Sequence, residues 1–198
     1  MKQMYQIDIR TLPDPLQDPL SLEGLPQGRR EKCLRYKIEA DRKRCLGAGK
    51  IIQQILEEAG CTAGVRFGVN GKPEADGVYF NVSHSGDYVI GVAGDAPIGC
   101  DIEKMREVPP RVAERSFSDA EQHYIASQRD ERVAFWKLWT LKESYMKMTG
   151  EGMRLPIHSF EMRCDDEIAV YRGNKEQPCE FQHFVLDGYS LAICQIKI

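Results

Sequence analysis

Apolar and polar residues alternate along Met4-Tyr5-Gln6-Ile7-Asp8-Ile9, the period of a half-buried strand. Pro13, Pro15, Pro19, Gly24, Pro26 and Gly28 then break the chain into a turn-rich connector over 12–28. Two helical stretches follow, about 29–38 and 40–59. Ile51, Ile52, Ile55, Leu56 and Ala59 give the second an apolar face, and Gly60 ends it. Short β-type runs come next near 65–69, 78–82, 88–93 and 98–103. The cycle then restarts: Ser118-Asp119-Ala120-Glu121 has the pattern of a capping box, and 130–149 is helical up to Gly150, with Pro156 beyond. Further β-type runs lie near 159–163, 167–171, 180–186 and 190–198.

Two fragments echo one another in the same order. Ile7-Asp8-Ile9 resembles Cys100-Asp101-Ile102, and Gly86-Asp87-Tyr88-Val89-Ile90 resembles Gly188-Tyr189-Ser190-Leu191-Ala192. The pattern predicts an α+β protein of two similar halves, 1–97 and 98–198.

Composition narrows the function classes. The 198 residues carry 27 Lys+Arg against 30 Asp+Glu, a formal charge of −3. No apolar run approaches the roughly 20 residues that span a bilayer, and Met1–Arg10 lacks a secretory h-region, so a cytoplasmic protein without a membrane partner is expected. Seven cysteines without a CxxC pair argue against a disulfide framework or structural zinc, and are expected to be small buried residues. The near-neutral total conceals a polarity. Residues 29–50 hold nine basic and three acidic side chains, a net +6 that leaves −9 on the rest. Such a segment suits a phosphorylated ligand, or is a solvated helical surface.

The most informative stretch is Ile98-Gly99-Cys100-Asp101-Ile102-Glu103. Residues i and i+2 of a strand share a face, so Asp101 and Glu103 project together while Ile102 turns to the core. Paired carboxylates either lie solvated on an edge or share a hard divalent cation such as Mg²⁺. On the 130–149 helix, Trp136, Trp139, Glu143 and Lys147 follow the spacing of one face. Glu143 could be a third ligand and Lys147 could hold a bound anion. The plain alternative is an i,i+4 ion pair of about 0.2–0.5 kcal/mol.

Gly71-Lys72-Pro73 places a lysine on a tight turn. Phe80-Asn81-Val82-Ser83-His84-Ser85-Gly86 runs a strand into a turn whose histidine and hydroxyls can donate to phosphate. Gly47-Ala48-Gly49-Lys50 is not a P-loop: Ile51 follows the lysine, and Arg44 stands where the first glycine belongs. No GxSxG or HExxH motif occurs.

Taken in order, these blocks resemble the 4′-phosphopantetheinyl transferases, and most closely their longer, pseudo-dimeric kind that activates nonribosomal peptide synthetases. Ile98–Glu103, Trp139–Lys147, Gly71–Pro73 and Phe80–Gly86 carry the resemblance, with Glu31-Lys32-Cys33 and Arg44 resembling the N-terminal coenzyme A-binding region. The resemblance implies transfer of phosphopantetheine from coenzyme A to a carrier-protein serine, with 3′,5′-ADP leaving. It implies a coenzyme A-binding half over 1–97 and a metal-binding, catalytic half over 98–198. Asp101, Glu103 and Glu143 would hold Mg²⁺, and Lys147 would support the transition state. Glu143 would take the serine proton, directly or through water. Arg29, Lys32, Arg44, Lys72, Ser83 and His84 would bind coenzyme A. Cys100 stands where Ile or Val is more usual, and Arg29 where a lysine is expected, which keeps the charge but alters its geometry.

A carrier would dock near 107–128, with Phe117, Tyr124 and Ile125 as contacts and Arg106, Arg111 and Arg115 steering an acidic partner. A monomer that binds no nucleic acid is expected, with residues after Pro156 as scaffold. Two other readings fit part of the pattern: a magnesium-dependent nuclease, and a non-catalytic module that binds coenzyme A or carriers.

Overall fold

A computed structural model describes residues 3–62, 64–68, 70–108 and 110–197. The alternating N-terminal run forms strand β1 (Gln3–Asp8). The connector coils through two short 3-10 turns into helix α1 (Gln27–Arg35), which extended backbone at Tyr36 separates from α2 (Glu39–Glu58). A small hairpin, β2 (Arg66–Phe67) and β3 (Pro73–Glu74), precedes the longer hairpin β4 (Tyr79–Ser85) and β5 (Tyr88–Gly94). The expected β-type run at 65–69 is thus only two residues long among the described positions, and residue 69 lies outside them. In the first sheet the order is β1-β5-β4, all antiparallel.

The remaining chain repeats this plan. Strand β6 (Ile98–Lys104) leads through α3 (Pro110–Ser116), which the apolar pattern did not announce, to α4 (Asp119–Ser127) and α5 (Glu131–Thr149). A minor sheet of β7 (Glu161–Cys164), β8 (Ile168–Arg172) and β9 (Lys175–Glu176) intervenes before the hairpin β10 (Cys179–Leu186) and β11 (Tyr189–Ile196). Its sheet order is β10-β11-β6. In both sheets the opening strand pairs with the second strand of the closing hairpin, so the protein is α+β with one topology used twice.

The repeat is visible at Tyr88 and Tyr189, which open β5 and β11, face Asp8 and Lys104 respectively, and meet edge-to-face with centroids 4.9 Å apart. Counting from these tyrosines, Gly91 corresponds to Ala192. Tyr5 therefore corresponds to Asp101, since they face those two residues. The sequence echo of Ile7-Asp8-Ile9 with Cys100-Asp101-Ile102 is out of step with the structural repeat by three residues.

Two glycines allow the helices to sit directly on their sheets. A Cβ at Gly91 would lie 2.3 Å from Cγ2 of Ile51 on α2. A Cβ at Gly99 would lie 2.2 Å from the Ser144 carbonyl oxygen and 2.4 Å from the Met148 nitrogen of α5. Glycine at 99 thus brings the backbone of α5 against β6. The other side of α5 is fixed by a buried ion pair. Lys142, fully enclosed, donates to Glu121 at 2.6 and 2.7 Å and to the Phe160 carbonyl at 2.8 Å. Glu121 also closes the capping box of α4 and accepts from the Met162 amide at 2.8 Å, so one carboxylate ties α4, α5 and β7 together.

Cys33, Cys45, Cys100, Cys179 and Cys194 are buried and Cys61 and Cys164 half-buried, and no disulfide joins any two of them among the described residues. No helix among the described residues is long and apolar enough to cross a membrane.

Candidate active site

Asp101 and Glu103 leave β6 on the same face, as the strand period requires. Asp101 is only 3% exposed. Its Oδ1 accepts from Ser83 at 2.9 Å and from the Lys147 ammonium at 2.6 Å, while its buried Oδ2 has no hydrogen-bond partner among the described residues. Lys147 also donates to Ser83 at 2.8 Å, and Ser85 donates to Glu103 at 2.7 Å. From α5, Trp139, Glu143 and Lys147 line the same pocket as the two strand carboxylates. Trp136 leaves that face: it is buried, and its indole N–H donates to the Arg106 carbonyl at 2.9 Å.

Charge is unbalanced here, with three carboxylates around one ammonium. Burial raises the pKa of Glu143, and Asp101 raises it further against the opposing pull of Lys147. Burial also raises that of Glu103, with Ser85 opposing and Asp101 reinforcing. Burial works against the Lys147 ammonium, but Asp101, Cys100 and Glu143 outweigh it and hold its pKa above the ordinary value.

The donors are all hard oxygens, and the orphaned Oδ2 of Asp101 is the kind of buried group a hard cation satisfies. The residues therefore suit Mg²⁺ in kind. Among the described residues, no three His, Cys, Asp or Glu side chains converge closely enough to bind a metal as they stand.

The same pocket, of about 410 Å³, is also lined by Arg29 and Lys32 of α1 and by His84, Gly71 and Pro73. Desolvation lowers the His84 pKa, and Arg44 and Lys147 lower it further, so the ring is neutral at pH 7. Arg29, Lys32 and Phe67 also border a second cavity of about 770 Å³, lined by Pro26, Ile52, Leu56 and Val65. A cationic rim thus joins a carboxylate-rich pocket to an apolar one.

Not every expected side chain reaches this pocket. Arg44 pairs with Asp41 and donates to the Gly86 carbonyl at 2.7 Å, bracing the turn after His84. Lys72 donates to the Lys147 carbonyl at 2.6 Å and the Ile98 carbonyl at 3.3 Å, capping α5 rather than reaching the pocket that Gly71 and Pro73 line. The expectation that Phe117 and Ile125 contact a carrier is corrected. Both are buried: Phe117, in the link between α3 and α4, packs against Phe135 at 5.2 Å, and Ile125 lies on the face of α4 that belongs to the core. Tyr124 is half-buried and accepts a hydrogen bond from Lys137 at 3.0 Å, while Arg106, Arg111 and Arg115 are exposed.

Sequence reasoning missed Lys142 as the core anchor of α5. It also missed the joint work of Asn81, Ser83 and Ser85. Three short polar residues in strict alternation along the strand were the available signal.

A family model for the 4′-phosphopantetheinyl transferase superfamily matches residues 97–194, the span from the start of β6 to near the end of β11. The 4′-phosphopantetheinyl transferase ffp of Bacillus subtilis is 35% identical over 181 residues, covering 85% of this chain and 81% of that one. The chain belongs to the 4′-phosphopantetheinyl transferase superfamily. Within the superfamily, Sfp of Bacillus subtilis strain 168 is 33% identical to this transferase over 178 residues, covering 84% of this chain and 80% of its own. A crystal structure of a holo-(acyl-carrier-protein) synthase from Bacillus anthracis, in complex with CoA (3′,5′-ADP), aligns at a TM-score of 0.45 and 17% identity. It covers 51% of this chain and 95% of that one. In this transferase the family-model match takes in Asp101, Glu103, Glu143 and Lys147, while Arg29, Lys32 and His84 precede it.

Proposed function

We propose that this protein transfers 4′-phosphopantetheine from coenzyme A to a serine hydroxyl of an apo carrier protein, releasing 3′,5′-ADP. The observation that carries this reading is that Arg29 and Lys32 line one pocket with Asp101, Glu103, Glu143 and Lys147. The cations bind phosphates, and the carboxylates with Lys147 perform the displacement.

Arg29, Lys32 and neutral His84 donate to the phosphates of coenzyme A. Ser83 forms the wall beside them. Arg44 and Lys72 act through the backbone they brace, at Gly86 and at the end of α5. Asp101, Glu103 and Glu143 would hold Mg²⁺, which neutralises pyrophosphate charge and aligns its oxygens when bound. Glu143, with its raised pKa, takes the serine proton as the serine oxygen bonds to the β-phosphorus. The bond from that phosphorus to the oxygen of the departing 3′,5′-ADP breaks in the same displacement. Lys147, held at 2.6 Å by Asp101, is fixed in advance to stabilise the phosphoryl charge.

Residues 1–97 are then the coenzyme A-binding half and 98–198 the catalytic half, a division supported by the common strand order. Both walls of the pocket come from one chain, which supports action as a monomer. Mostly buried cysteines without disulfides agree with work in the reducing cytoplasm. Exposed Arg106, Arg111 and Arg115 suit an acidic carrier.

Replacing Lys32 tests the binding wall. A charged hydrogen bond is worth about 1.5–3 kcal/mol, so Lys32→Ala is expected to raise the KM for coenzyme A at least about tenfold while kcat changes little. Initial rates over a coenzyme A titration check this. An unchanged KM would remove Lys32 from the binding wall.

A further inference from the structure

The structure assigns Ser85 as a positioning residue for Glu103, through a comb of β4 side chains that aims both carboxylates of β6. The assignment rests on the proposed magnesium role of Asp101, Glu103 and Glu143. Strand β6 is the edge of its sheet, pairing by backbone with β11 alone among the described residues. Edge N–H groups need acceptors, and here β4 provides them with side chains. Asn81 Oδ1 accepts from the Cys100 amide at 3.0 Å, Ser83 Oγ from Ile102 at 3.4 Å, and Ser85 Oγ from Lys104 at 3.0 Å. The alternation on β4 matches the alternation on β6, tooth for tooth.

Each serine also passes its own proton onward, Ser83 to Asp101 and Ser85 to Glu103. A hydroxyl has one proton to give. That of Ser85 therefore serves Glu103 rather than a phosphate. Asp101 has two donors, from Ser83 and Lys147, but Ser85 is the only hydrogen-bond donor to Glu103 among the described residues. Without the Ser85 hydroxyl the Glu103 carboxylate is free to rotate. The Lys104 amide is left beside an exposed side chain where water can replace the serine, so the fold is little affected.

The test uses the full-length protein with coenzyme A present, and reads Mn²⁺ binding by electron paramagnetic resonance alongside the Mg²⁺ dependence of the rate. Loss of a group that orients a metal ligand typically costs about 10–100-fold in metal affinity. Ser85→Ala is therefore expected to weaken Mn²⁺ binding at least about tenfold and to raise the Mg²⁺ requirement equally, with an unchanged melting temperature. Ser85→Thr, which keeps the hydroxyl, is expected to restore both. Wild-type Mn²⁺ affinity in Ser85→Ala, or weakness in Ser85→Thr equal to that in Ser85→Ala, would overturn the assignment. Absence of Mn²⁺ binding by the wild type would overturn the metal reading, and the role of Ser85 with it.

Discussion

Glu143→Gln is expected to abolish carrier modification while leaving a folded, coenzyme A-binding protein. The substitution keeps the shape of the side chain and removes its charge and its capacity to accept a proton. Loss of a general base alone typically costs about 10²–10⁴-fold, and here a proposed metal ligand is lost with it. The fold does not need the carboxylate. Glu143 makes no hydrogen bond or ion pair among the described residues, and burial and Asp101 already oppose its ionisation. A melting temperature equal to or above that of the wild type is therefore expected, because removing one of several crowded carboxylates relieves repulsion. Single-turnover rates, calorimetric binding of coenzyme A and thermal melts separate the three quantities. Turnover within about tenfold of wild type would exclude Glu143 as the base.

Gly99→Ala is expected to damage both stability and rate. The added Cβ would meet backbone atoms of α5 at 2.2 and 2.4 Å, and backbone cannot swing aside as a side chain can. The helix must withdraw from β6 at the point where Asp101 meets Lys147. Overpacking of this kind costs about 1–3 kcal/mol, and misplacing catalytic groups by about 1 Å can cost a hundredfold in rate. A lowered melting temperature together with a kcat reduced at least about a hundredfold is expected. Wild-type values for both would show that the tight seat of α5 on β6 is dispensable.

The sequence was most legible where local chemistry and period agree. Ser118 and Glu121 close their capping box, Asp130 accepts from the Val133 amide at the start of α5, and Gly150 ends that helix with φ +75°. The shared face of Asp101 and Glu103 followed from strand period alone. Legibility failed where a side chain's direction depends on distant partners. Lys72 and Lys142 looked like any other cations, yet one caps a helix 75 residues away and the other is enclosed by Glu121 and Phe160. Phe117 and Ile125 lay on a segment whose charged neighbours suggested an outer surface, but only packing shows that the α3–α4 link and one face of α4 turn inward. Periodicity aligns residues within an element, whereas the partner of a buried charge is set by tertiary structure.

Mass spectrometry of apo carrier proteins incubated with this protein, coenzyme A and Mg²⁺ decides whether phosphopantetheine is transferred. The carrier serine is expected to gain the mass of one phosphopantetheine with release of 3′,5′-ADP, and both are expected to be lost with EDTA or in Glu143→Gln. Carriers from several pathways left unmodified by the wild-type protein would contradict transfer and favour a binding module, and cleavage of plasmid DNA under the same conditions would favour a nuclease.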